Sequence, residues 1–198
     1  MLPGAGLRDM FGGQGSIFGG QYDRQRGSGS ACAVRGYTKI RSLGRGGMSE
    51  AVNLVRSERS GRVYVEKRVR IDMSRRQRTL AELSALRRVE QGRNLNQLHT
   101  YLWDERAGLC TFVLEYFDRG SLEKSIEDNR GSGQFYPDMF VWHVLTGISS
   151  ALAFLHRGVR DVARDRPVKG WDVTCHLDLK PCKSGSATVF TSCVLTLG

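Results

Sequence analysis

The pattern of apolar and polar positions divides the chain sharply near residue 37. Beyond that point, residues 37–43, 51–56 and 63–69 form short runs rich in β-branched and aromatic residues, separated by Gly44-Arg45-Gly46-Gly47 and by Ser60-Gly61. This spacing predicts three strands, the second and third pairing as a hairpin. Residues 79–89 read as a helix, because Leu83, Leu86 and Val89 recur every three residues and make one apolar stripe. Glu82 falls at an angle between Leu86 and Val89, so it faces inward with them. A carboxylate there is costly unless a cation meets it. Two further strands are expected at 97–103 and 110–116, around an Ala107-Gly108 turn. Ser121 is placed to cap a short helix from Leu122. Pro137 and Asp138 open the longest helix, with a stripe of Val141, Val144/Leu145, Ile148, Leu152 and Leu155 and an end near Arg157-Gly158.

Composition adds boundaries to this outline. Residues 1–36 hold 10 of the chain's 24 glycines, too little apolar area to offset the entropy of ordering, so a mobile tail is expected there. No run approaches the roughly 18 apolar residues of a membrane span, and the first residues lack a secretory signal. A cytoplasmic or nuclear location follows by default. Five scattered cysteines without zinc-ligand spacing fit a reduced, metal-free chain. The net charge of +10 raises a nucleic-acid reading, but the basic residues are dispersed and no aromatic-and-basic ladder accompanies them. Nucleic acid is therefore the least favoured partner.

Four motifs in register along this outline carry chemistry. The first is Leu43-Gly44-Arg45-Gly46-Gly47-Met48-Ser49, a glycine turn between two strands whose backbone can approach phosphates closely. The second is Tyr64-Val65-Glu66-Lys67 on the third strand, whose lysine is the natural cation for Glu82. The third is the run from Phe112 to Leu122, which holds Leu114, Glu115 and Phe117. The fourth is His176-Leu177-Asp178-Leu179-Lys180-Pro181 after the long helix.

Taken together, residues 37–182 resemble the eukaryotic protein kinase family, in its serine/threonine form because a lysine stands two places after the aspartate. The resemblance implies an α+β fold: a five-stranded antiparallel N-lobe sheet with one helix (37–116), then a hinge and the first helices of an incomplete helical C-lobe (117–182). It implies ATP as cofactor, held by Leu43, Gly44, Arg45, Gly46, Gly47, Met48, Ser49, Ala51, Lys67 and Glu82. Leu114 would be the gatekeeper, with backbone groups of Glu115 and Phe117 on the adenine edge. Asp178 would orient the attacking hydroxyl of a protein substrate, and Lys180 would neutralise the transferring phosphate. The family's third glycine falls on Ser49 and its following valine on Ala51, with Val52 one place late, which predicts a bulge or insertion. Leu177 replaces the arginine that receives an activation-loop phosphate.

The resemblance breaks at Lys183, where the family has a magnesium-binding asparagine, and no Asp-Phe-Gly follows. No metal ligand is therefore identified. Residues 183–198 are expected to be an aberrant tail on a domain truncated within its catalytic loop. Three functions follow: a kinase by descent that is inactive in this chain, a non-catalytic pseudokinase-like binding module or scaffold, and, last, a basic nucleic-acid-binding protein. Residues 157–173 read as a surface insertion. The long helix is expected to leave its stripe uncovered and to promote association.

Overall fold

The computed structural model describes residues 32–44, 49–90, 92–133, 135–186 and 193–195. Five antiparallel strands form one sheet in the order β1-β2-β3-β5-β4: β1 (Tyr37–Gly44), β2 (Ser49–Ser57), β3 (Val63–Arg70), β4 (Leu98–Asp104) and β5 (Leu109–Glu115). Helix α1 (Arg76–Arg88) interrupts the strands, and α2 (Leu122–Ser132) and α3 (Asp138–Arg157) follow them. The expected strands are all present within a residue or two of their expected bounds. Helix α1 begins three residues earlier than its apolar spacing indicated. The turn before it is built by Asp72, whose Oδ1 accepts the Ser74 and Arg75 N–H groups and whose carbonyl accepts the Arg76 N–H, while the N-cap Arg75 makes no side-chain cap bond.

Register fixes what each sheet face carries. Val52, Lys67, Phe112 and Tyr101 stand opposite one another across four strands, and Leu54, Val65, Leu114 and Leu98 form the next such row. Because side chains alternate, these rows share one face with Val69 and Cys110. Leu83 and Leu86 of α1 pack on that face, making a core with Val69, Leu98, Cys110, Phe112 and Leu114. Completely burying a side chain such as Phe112 contributes roughly 2–3 kcal/mol. A second core joins the end of α1 to α3 through Val89, Leu95, Ala151, Phe154 and Leu155. Helix α1 therefore contributes to both.

Ser121 caps α2 as expected, its hydroxyl accepting the Lys124 N–H. Gly158 ends α3 in the left-handed conformation, at φ 69°. The stripe of α3 is buried at its C-terminal end and open at its N-terminal end, where Val141 and Leu145 are exposed, as are the neighbouring Met139 and Trp142. By length and composition α3 is, among the described residues, the one helix that could cross a membrane.

One expected boundary differs. Composition places residues 32–36 in the tail, yet they lie against the sheet: Ala33 N–H and the Cys32 thiol both donate to Glu66, and Gly36 carbonyl accepts from the Glu58 N–H. Residues 1–31 lie outside the described residues. The 157–173 segment is mostly exposed, but it is tied down at its far end. Trp171 Nε1 and Thr174 N both donate to the Leu155 carbonyl, at 3.0 Å each, satisfying an acceptor that the helix end leaves free. Trp171 also meets Phe154 edge-on, and Asp172 pairs with Arg88. Local spacing could not show this, because the partner is a carbonyl sixteen residues away. In the tail, Ser184–Ser186 (β6) pairs antiparallel with Cys193–Leu195 (β7), with β6 beside α2 and β7 beside α3. Val189 and Phe190 lie outside the described residues.

Candidate functional site

Strand β3 and helix α1 bring the two central residues together. Lys67 Nζ lies 2.6 Å from Glu82 Oε1, with side-chain exposures of 21% and 10%. The geometry follows from two periods. Lys67 shares the core-facing side of β3 with Val65 and Val69, and Glu82 sits one residue before Leu83, on the edge of the buried helix face. The pair thus borders the first core, where an unpaired charge of either sign would be costly.

The face around Lys67 is apolar. Val52 stands opposite it on β2, and Leu114, buried, lies diagonally across β5 through its partner Val65. Gly44 pairs with Val52 at the end of β1, with φ 107°, a conformation open only to glycine at low cost. Leu43 and Ser49 lie at the two edges of the β1–β2 turn. Arg45, Gly46, Gly47 and Met48 lie outside the described residues.

Register separates Ala51 from Lys67. Ala51 pairs with Arg68 and therefore lies on the opposite sheet face from Lys67. A register shift between Ser49 and Ala51 displaces the alternation of β2 against β3 by one residue. Val52 takes the position facing Lys67. The signal was present in the sequence as a valine one place late, but only the pairing says which residue turns inward.

The hinge residues follow β5 directly. The Glu115 N–H donates to the Gln97 carbonyl, and the Phe117 carbonyl accepts from Gly120 in the turn before α2. Glu115 is exposed, yet partial desolvation at the end of β5 outweighs its backbone bond with Gln97 and raises its carboxyl above the usual value.

Asp178 and Lys180 lie in the extended segment after Trp171, with Lys180 Nζ 3.1 Å from Asp178 Oδ1 and both about half exposed. Leu177 adopts φ 59° with its side chain in solvent, and Asp178 N–H donates to the His176 carbonyl. This tight turn aims the Asp178 and Lys180 side chains at one another. The bond to Asp178, and its charge, hold the Lys180 ammonium above its ordinary value. Among the described residues no ion pair joins this pair to Lys67 and Glu82.

The described residues offer no ready-made cluster of metal ligands. No group of three His, Cys, Asp or Glu side chains could hold a metal among them, and position 183 is a lysine, which cannot coordinate a cation. A shallow cavity of about 470 Å³ lies elsewhere, between α3 and the 159–167 segment, lined by Leu152, His156, Val159 and Val162.

One buried charge was not anticipated. Glu66, beside Lys67 but on the outer sheet face, is completely buried and accepts from Cys32, Ala33, Asn53 and Arg68. The sequence signal was faint: a glutamate between valine and lysine on a central strand.

No protein-family profile matches the chain. It is 31% identical over 149 residues to an L-type lectin-domain containing receptor kinase (I.5) of Arabidopsis thaliana, covering 74% of this chain and 21% of that protein. It is 29% identical over 147 residues to serine/threonine-protein kinase 16 of Mus musculus, covering 73% of this chain and 43% of that protein. It is 27% identical over 158 residues to the MAPK/MAK/MRK overlapping kinase of Homo sapiens, covering 76% and 36%. The chain thus spans less than half the length of these relatives. These similarities support a protein-kinase relationship for the chain, and its five-stranded sheet with helices is a kinase-like N-lobe followed by part of a C-lobe.

Proposed function

We propose that the chain is a serine/threonine-kinase-like domain that holds ATP through Lys67 and transfers phosphate slowly or not at all. The observation that carries this is the 2.6 Å contact between Lys67 and Glu82 beside an apolar sheet face. An ammonium fixed at one point by a carboxylate keeps two further N–H donors for phosphate oxygens. Val52, Val65 and Leu114 offer the flat apolar surface that a purine ring needs, and the Glu115 carbonyl and Phe117 N–H would meet its edge. Asp178 and Lys180 are the residues for a hydroxyl substrate and its incoming phosphate. The slow-transfer reading rests on Lys183: phosphoryl transfer depends on metal ions to neutralise and align the phosphates, and no cluster of three metal-ligating side chains lies among the described residues.

Titration of the full chain with a fluorescent ATP analogue, without and with magnesium, tests the binding. Saturable binding is expected without metal. Lys67→Met should weaken it about 10- to 100-fold, the worth of one charge-assisted bond. Failure of the unaltered chain to bind, or equal binding by Lys67→Met, would refute the nucleotide role. Radiolabelled phosphate transfer at ordinary kinase rates, lost in Asp178→Ala, would refute the slow-transfer half.

A further inference from the structure

Glu66 is a fully buried carboxylate on a strand whose very next residue is Lys67. Both of its oxygens are occupied. Oε1 accepts from the Cys32 thiol at 2.8 Å, the Ala33 N–H at 2.9 Å and Arg68 at 3.2 Å. Oε2 accepts from Asn53 at 2.7 Å and Arg68 at 3.1 Å. These donors come from three places: the segment before the sheet, strand β2, and β3 itself. Asn53 stands directly opposite Glu66, just as its neighbour Val52 stands opposite Lys67. The β2–β3 pairing therefore has two sides, with Lys67 and Val52 inside and Glu66 and Asn53 outside.

We infer that residues 32–36 form a strap across the outer sheet face, and that Glu66, by fastening this strap to β2 and β3, is a positioning residue for Lys67. The inference rests on the nucleotide reading for its functional meaning, but its structural part stands separately. A buried carboxylate cannot shed a donor without cost, because a lost bond leaves charge uncompensated in the interior. With the strap in place, the carboxylate is shielded from water and bonded from both strands. With the strap lifted, water reaches Glu66, its bonds to Asn53 and Arg68 weaken, and the β2–β3 register behind Lys67 loosens. Tyr37, the first residue of β1, reinforces the strap's exit by packing edge-on against Tyr64, two residues before Glu66. The Gly36 carbonyl pins its end through Glu58. The chain leading to residue 32 is thereby linked mechanically to the strand that carries the proposed phosphate-holding lysine.

The test uses the full chain with Ala33→Pro, which deletes one N–H donor to Glu66 and leaves every other side chain in place. Cys32→Ala, a milder variant, removes only the thiol donor and guards against misfolding of the first. Thr38→Ala, which removes the exposed Thr38–Glu58 bond nearby, is the control. Three readouts are taken by mass spectrometry: amide hydrogen exchange across β2 and β3, maleimide labelling of Cys32 (omitted for Cys32→Ala), and amine labelling of Lys67 with Lys124 as internal reference. Ala33→Pro is expected to raise β2–β3 exchange about tenfold, the effect of losing one charge-assisted bond. Lys67 labelling should rise several-fold while Lys124 stays constant. Cys32→Ala should move both in the same direction by less, and Thr38→Ala should move neither. Faster Cys32 labelling with exchange and Lys67 reactivity within twofold of the unaltered chain would overturn the inference, since the strap would then open without consequence. Loss of nucleotide binding by the unaltered chain would count against the kinase reading only, because exchange and labelling decide the strap without any nucleotide.

Discussion

Replacing Glu82 by leucine, Lys67 by methionine, and both together measures what the central ion pair contributes. At 2.6 Å the gross attraction is about 6 kcal/mol for an effective dielectric of 20, but most of it is offset by taking two charges largely out of water. What survives is exposed by removing one partner at a time. Glu82→Leu leaves an ammonium beside the Phe112 and Val69 core, and Lys67→Met leaves a carboxylate only 10% exposed on α1. Each single change should cost about 2 kcal/mol, somewhat below the cost of breaking a fully buried pair, because Lys67 retains access to water. The double variant joins two apolar side chains of similar size and should cost about 1 kcal/mol, which makes the coupling about 3 kcal/mol. Urea denaturation followed by tryptophan fluorescence gives these values. In thermal melts each single variant should fall by roughly 4–8 °C. If the two single costs sum to the double within about 0.5 kcal/mol, the residues do not interact, and the reasoning about an inward-facing carboxylate is wrong.

Two further outcomes follow from the structure. Gly158→Ala should destabilise by about 3 kcal/mol: the residue sits at φ 69°, and a new Cβ would lie 2.5 Å from the Trp171 ring, displacing its bond to the Leu155 carbonyl and its edge contact with Phe154. A cost under about 1 kcal/mol in urea melts would show that the 157–173 segment is not anchored there. The Glu66 carboxyl should produce an acid limb in stability. Burial alone would raise it, but bonds from Cys32, Asn53, the Ala33 N–H and Arg68 prevail and hold it below its ordinary 4.5. A carboxyl lowered on folding contributes fully above that ordinary value, and the contribution disappears as pH falls through the lower native one. Urea midpoints between pH 7 and pH 3 should therefore fall less steeply in Glu66→Gln than in the unaltered chain; parallel curves would refute this.

The local elements were legible because their causes are local. Runs of β-branched and aromatic residues between turn signals mark β1 to β5, three-residue spacing marks α1, Ser121 marks the start of α2, and Gly158 the end of α3. The partnership of Lys67 and Glu82 was also within reach of the sequence, since an inward carboxylate demands a cation and a lysine on the preceding strand is close at hand. Register was not. The β2–β3 pairing decides that Val52 rather than Ala51 shares a face with Lys67, and that pairing arises from hydrogen bonds between strands, which no single strand's pattern records. Composition likewise made residues 32–36 part of a glycine-rich tail. What holds them is a buried carboxylate more than thirty residues away, so their order comes from tertiary structure alone. Periodicity along the chain thus settled which segments are strands and helices. The faces they turn to one another, and the outer carboxylate that fastens the strap, came only from assembly, because those choices depend on which donors and acceptors meet once the chain is folded.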